Sequence, residues 1–264
     1  MIENKKEFKL ISKKNPKSLL PNALTIFGVC LGLSSIKFAL DSNYAMSVIA
    51  IGFAAILDTL DGRVARLVNA TSKVGKELDS LTDVISFGVA PSFIMYFWSI
   101  NEVGKMGWLF VLIYTVCCAL RLARFNLTEI HEDETWKINF FEGVPSPAAG
   151  GLILLPLILS LSNLIKFENT AVISSVVILI TSILMVSKIP TYSLKRILIQ
   201  RNFAIFLLLG IGIYLSLIIF YTFETLFVTG LIYVLLIPAS YLHYNHLSKK
   251  TLVPVKDETE EDVL

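Results

Sequence analysis

Four aspartates, Asp58, Asp61, Asp79 and Asp83, lie between two apolar runs long enough to cross a bilayer, within the stretch LDTLDGRVARLVNATSKVGKELDSLTDVISFGVAP from Leu57 to Pro91. Written out, the pattern is D-x2-D-G-x2-A-R-x8-G-x3-D-x3-D. If the flanking runs are helical, Asp58 and Asp61 fall at i, i+3, and Gly62 and Ala65 continue their face. Gly75, Asp79 and Asp83 follow at successive i+4 steps, one stripe of a second helix. Two such helices, with small residues beside the acids, can approach closely and direct four carboxylates at one spot. Like charges that near stay ionised together only with cations among them. Carboxylate-only ligation suits hard divalent ions, Mg2+ or Mn2+, and excludes a zinc-type thiol or imidazole site. The plain alternative is a set of solvated loop acids. Loop acids have no reason to share two helical stripes with Gly and Ala, and an aspartate near the bilayer centre costs roughly 2.5–3.5 kcal/mol to insert, so intramembrane acids mark function.

The elements that must position these acids are membrane helices. Hydrophobic residues make up 55% of the 264 and charged residues 17%, which excludes a soluble domain of this length and predicts an all-α, polytopic membrane bundle. Apolar length predicts about eight spans, near 21–40, 43–62, 80–99, 106–125, 147–165, 170–187, 203–221 and 225–243, the second running on as helix to about Leu67. Pro21 stands where a first helical turn tolerates proline. Residues 1–20 form a basic arm with six lysines and no apolar run of signal-peptide type. Basic residues crowd into the arm, the 2–3, 4–5 and 6–7 connections and the tail. Of the 23 Lys and Arg, only Lys37, Lys105 and Lys166 remain for the other side. Eight spans with both termini and the acidic connection in the cytoplasm satisfy that bias, and an odd number of spans would break it. The acidic tail, 246–264, is expected to be disordered. Cys30, Cys117 and Cys118 all fall in apolar runs, with neither a metal spacing nor a disulfide framework.

The aspartate pattern resembles the signature of the CDP-alcohol phosphatidyltransferases and matches it at every fixed position. The resemblance implies that family's fold, with a core over 21–201 of six helices and two added helices over 202–245. It also implies two-metal catalysis by Mg2+ or Mn2+ in the bacterial inner membrane, with an alcohol displacing CMP from CDP-diacylglycerol. Carried over residue by residue, Asp58 and Asp79 contact both ions, Asp61 one and Asp83 the other, and Asp83 acts as general base toward the incoming hydroxyl. Gly62 and Ala65 leave room for the nucleotide, Arg66 offers a bidentate donor to phosphate, Ser72 lies near the lipid diphosphate, and Gly75 lets the acidic helices close. Asn22 and Thr25, in Pro21-Asn22-Ala23-Leu24-Thr25, resemble the family's nucleotide-side segment. Their ordinary reading is a helix cap and a back-bonded hydroxyl.

Three further segments resemble the integral-membrane phosphatidylserine synthases of bacterial type: Ser86–Pro91, Arg121-Leu-Ala-Arg124-Phe-Asn126, and Phe141–Gly151. That likeness implies L-serine as acceptor, with phosphatidylserine and CMP as products, and a homodimer in the bilayer. Arg121, Arg124 and Asn126 are then candidates for binding the acceptor. Equally, arginines ending a helix on its cytoplasmic side complement its dipole or snorkel to the interface. The same chemistry with glycerol 3-phosphate or inositol phosphate is the nearest alternative. A divalent-cation transporter is the more distant one; Arg66 and Gly62 argue against an ion path. No nucleic-acid motif is present.

Overall fold

The computed structural model describes residues 19–68, 73–127, 140–162, 164, 168–193 and 204–251. The basic arm up to Ser18, Ser72 and the tail beyond Thr251 lie outside them. Apolar segments at the expected places form helices: α1 (Leu19–Leu40), α2 (Tyr44–Leu67), α3 (Lys73–Asp83), α4 (Ala90–Trp98), α5 (Lys105–Leu127), α6 (Ser146–Ile153), α7 (Leu155–Leu161), α8 (Thr170–Val186), α9 (Ala204–Phe220) and α10 (Thr222–Thr251). Five are long and apolar enough to cross a membrane: α1, α2, the continuous helix from α3 to α4, α5 and α10. The chain is thus an integral membrane protein built almost wholly of helix.

α1 and α2 form a tight antiparallel hairpin. Its turn needs Ser42 at φ 60°, and Asn43 caps α2 by accepting from the Met46 N–H at 3.3 Å. Inside the hairpin, the Ser47 hydroxyl donates to the Ser35 carbonyl of α1 at 2.9 Å. α2 reaches Leu67, as its sequence predicts. At 24 residues it is about 36 Å long, more than the hydrocarbon thickness of a bilayer.

The helix that follows contains a feature that apolar length does not show. Between α3 and α4 the backbone widens into a π turn, Val84–Val89, in which the Ala90 N–H bonds to the Ile85 carbonyl. Pro91 accounts for it: it has no N–H for the Phe87 carbonyl, and its ring would crowd that carbonyl in an α-helix. The Tyr114 hydroxyl of α5 takes the place of the missing donor, bonding Phe87 O at 2.9 Å.

The expected fifth span is also not one helix. It divides at Leu154 into α6 and α7, because Pro156 cannot donate to the Leu152 carbonyl and the Leu154 N–H takes it instead. α8 and α9, 17 residues each, are about 26 Å long and shorter than the other spans. At the far end, α10 accommodates Pro238, passes its expected limit near 243 and stays helical to Thr251, with no Gly or Pro from 243 to 251. Within this all-α bundle a small two-stranded antiparallel clip, β1 (Phe140–Glu142) on β2 (Pro190–Tyr192), pairs Phe141 with Thr191 and ties the start of α6 to the end of α8. Strands of three residues have no period to read.

The core lies among the π turn, α4, α5, α6 and α8, around Phe87, Ile94, Met95, Tyr114, Cys118, Ile153 and Met185. α9 contrasts with it. Apart from Ile218, every described side chain of α9 is exposed and most are apolar, as befits a helix facing lipid.

Candidate active site

Asp58 and Asp61 stand near the end of α2, and Asp79 and Asp83 close α3 just before the π turn. Carboxylate oxygens of Asp58, Asp61 and Asp79 lie within 4.8 Å of one another. Asp83 stands outside that group of three, close enough to interact electrostatically with Asp58 and Asp79. The two helical stripes read from the sequence therefore do converge, but not by direct packing. α2 and α3 touch little, and α1 packs against both. Two close contacts explain how α1 does so. At Gly32 an added Cβ would sit 2.7 Å from Ser86 Oγ and 3.0 Å from Ser86 Cα, so only glycine lets α1 meet the π turn there. Near the site itself, the Thr25 hydroxyl donates to Asp61 Oδ2 at 2.6 Å, with the Pro21 carbonyl 3.0 Å away. Thr25 thus holds a carboxylate in place, and Asn22 stands half-buried one turn before it.

On α2 the residues next to Asp61 leave a shelf. A Cβ on Gly62 would have no neighbour within 4 Å, Ala65 is half-buried, and Arg66 is exposed. Gly75 stands one turn before Asp79 on α3.

Asp83 has a different environment. Its Oδ2 accepts from the Ser146 hydroxyl at 3.0 Å, and Ser146 in turn accepts from the Arg121 guanidinium at 3.0 Å. Ser146 is the first residue of α6, and the preceding Gly143 sets the approach: at φ 72°, a Cβ there would lie 2.6 Å from the Met185 carbonyl. Arg121 is only 6% exposed. Two atoms of this arrangement, Asp83 Oδ1 and Arg121 Nε, are buried without a hydrogen-bond partner among the described residues. Arg124 faces elsewhere, toward the carbonyls of Val186 (2.8 Å), Ser187 (3.3 Å) and Glu142 (3.4 Å), where it caps the end of α8. The Asn126 amide donates to Ser80 Oγ at 2.8 Å, bracing α5 against α3. Of the three residues singled out for the acceptor, Arg121 alone joins the aspartates. Ser146 was missed as a site residue, although it stands within the Pro145-Ser-Pro147 segment that carries part of the resemblance; its sequence position says nothing of the helix it faces.

The residues fit divalent cations. None of the four aspartates has a salt-bridge partner among the described residues, and Asp83 Oδ1 lacks any donor. Oxygen-only donors of this kind belong to hard ions. What these carboxylates could support is metal-assisted transfer at a phosphorus atom.

The family model of the CDP-alcohol phosphatidyltransferases matches residues 18–189. A protein of Mycobacterium leprae (strain TN) named CDP-diacylglycerol–serine O-phosphatidyltransferase is 34% identical over 221 residues, 83% of this chain and 73% of the relative. A Helicobacter pylori (strain ATCC 700392 / 26695) protein of the same name is 38% identical over 212 residues, covering 80% and 86% of the two chains. A Bacillus subtilis (strain 168) protein, again so named, is 34% identical over 177 residues, 67% of this chain and 92% of its own. Aspartate pattern, gathered carboxylates and relatives agree: the chain belongs to the CDP-alcohol phosphatidyltransferase family.

Proposed function

We propose that this chain transfers the phosphatidyl group of CDP-diacylglycerol to the hydroxyl of L-serine, giving phosphatidylserine and CMP. The observation that carries the acceptor choice is the Asp83–Ser146–Arg121 chain, with one open atom at each end. An acceptor with a hydroxyl and a carboxylate a few bonds apart matches it. The hydroxyl meets Asp83 Oδ1 and the carboxylate meets Arg121 Nε–H, an ion-paired hydrogen bond that inositol and choline-type alcohols, having no anionic group, cannot make. The names of the relatives favour the same acceptor.

Asp58, Asp61, Asp79 and Asp83 would hold two Mg2+ or Mn2+ ions. When bound, these ions supply charge stabilisation for the diphosphate and the departing phosphate. Asp83 takes the proton of the acceptor hydroxyl. That oxygen forms its bond to the lipid-side phosphorus as the bond from phosphorus to the CMP oxygen breaks, and CMP leaves. Ser146 fixes the Asp83 carboxylate so that its free oxygen faces the acceptor, and Thr25 does the same for Asp61. Gly62 and Ala65 leave the shelf on which the nucleotide lies, Arg66 binds phosphate, Asn22, Ser72 and Gly75 line the lipid-nucleotide side, and Arg124 and Asn126 tie the end of α5, the helix that carries Arg121, to α8 and α3. The active site faces the cytoplasm, eight segments cross the bacterial inner membrane as a homodimer, and residues 202–245 add two helices to a core over 21–201.

The test is purified protein with labelled CDP-diacylglycerol and a panel of alcohols. The expected result is label in phosphatidylserine and release of CMP with L-serine. Transfer to glycerol 3-phosphate or an inositol phosphate, with none to serine, would refute the acceptor assignment and leave the family chemistry standing.

A further inference from the structure

Arg121 Nε is not the sole buried polar atom without a partner on that side of the site. Ser193 Oγ at the end of β2, and Tyr233 OH and Ser240 Oγ on α10, share the condition. Native interiors hold few such atoms, and those they hold call for a ligand or a water. α10 packs on β2. Tyr233 and Ser240, seven residues apart, lie on one face of α10. The Tyr233 ring carries its hydroxyl beside Thr191 and within electrostatic range of Arg121. Thr191 already donates to the Gly143 carbonyl at 2.8 Å. Arg121 Nε–H can only donate, and a tyrosine hydroxyl donates readily. Two donors on this side of the site, with α10 packed on β2 and Thr191 of β2 tied to Gly143 just before Ser146, suit an anionic group rather than a cationic one.

We infer that α10 walls the acceptor site and that Tyr233 is a specificity-determining residue, its hydroxyl donating to the acceptor's carboxylate beside Arg121 Nε–H. The identity of that acceptor rests on the serine reading above. The last helix then takes part in choosing the alcohol, although the match to the family model ends at residue 189.

The experiment is Tyr233→Phe in the full chain, in mixed micelles at fixed Mg2+. The KM is measured for L-serine, L-serine methyl ester and CDP-diacylglycerol, together with the Tm. Among the described residues the lost hydroxyl makes no hydrogen bond of good geometry, Thr191 standing beside it, so the Tm should change little. The expected result is a serine KM raised about tenfold, the scale of one hydrogen bond to a charged group. The KM for the methyl ester, which lacks the charge, and that for CDP-diacylglycerol should stay within about twofold of wild type. A serine KM unchanged in Tyr233→Phe overturns the inference while the serine reading stands. Equal rises for all three substrates also overturn it, since they report a structural role. If wild-type protein rejects serine and uses another alcohol, the serine reading falls. Tyr233→Phe is then assayed with that alcohol: a raised KM keeps α10 in the acceptor site, and an unchanged one removes it.

Discussion

Asp83 differs from the other three aspartates in what holds it. Asp58, Asp61 and Asp79 lie together, with Asp61 held by the Thr25 hydroxyl, whereas Asp83 is braced by a serine that is itself bonded to a buried arginine. Ser146→Ala removes that brace and leaves the Arg121 guanidinium without its hydroxyl partner. The expected outcome is a kcat lower by about ten- to hundredfold with little change in the KM for CDP-diacylglycerol, the usual cost of losing an outer support of a metal-binding carboxylate. Single-turnover CMP release would measure it. Asp58→Asn should cost more than about a hundredfold even at saturating Mg2+, and Asp61→Asn less, with partial recovery as Mg2+ is raised. Equal metal dependence in the two variants would contradict the different roles given to them. At this scale the aspartates were legible, because carboxylates repeated at helical spacing beside apolar runs are costly to keep unless a cation binds them. Ser146 and Thr25 were not, since a hydroxyl's role depends on what faces it from another helix.

Helix extents were read well where they depend on apolar length: α2 ends at Leu67, and α1, α5 and α8 lie within a few residues of their expected limits. Errors occurred at prolines. Pro91 opens the π turn and Pro156 breaks the fifth span, both through a carbonyl left without its donor, and apolar length carries no trace of either. Two substitutions test how these joints support the site. Tyr114→Phe strips the Phe87 carbonyl of its donor in a fully buried place and should destabilise by about 1–3 kcal/mol, read as a lower midpoint in denaturation from micelles. Gly32→Ala forces a Cβ against Ser86 and should cost about 1–3 kcal/mol by overpacking. Because α1 also carries Thr25, the Gly32 variant should lose activity below its unfolding temperature; Tyr114→Phe, acting from α5, should lose less.

For the whole molecule, charge placement speaks to orientation and the packed helices to shape. With Cys30, Cys117 and Cys118 replaced, single cysteines near 4, 72, 135 and 198 should react with an impermeant thiol reagent from the cytoplasmic side only. Cysteines near 103, 167 and 223 should react from the other side only. One site labelling from the wrong face would break the eight-segment arrangement. The bundle as a class was legible because apolar runs of about 20 residues without alternation can satisfy their backbone groups in a bilayer only as helices. How α1 comes to hold two acidic helices that scarcely touch was not, since packing partners depend on side-chain shape rather than on the lengths of apolar runs.

The π turn has one more consequence, in the angular phase of the helix that runs from Lys73 to Trp98. A π turn takes up one residue more than an α turn, and one residue is about 100° of rotation. The aspartate stripe before it and the core-facing stripe of α4 after it therefore belong to two helical wheels offset by that angle. A helical-wheel plot drawn through the whole segment superimposes the two phases and blurs both faces. Removal of one residue between Val84 and Val89, together with Pro91→Ala to restore the missing N–H, would merge the wheels into a single α-helix. With α4 kept seated in the core, Asp79 and Asp83 would swing about a quarter turn away from Asp58 and Asp61.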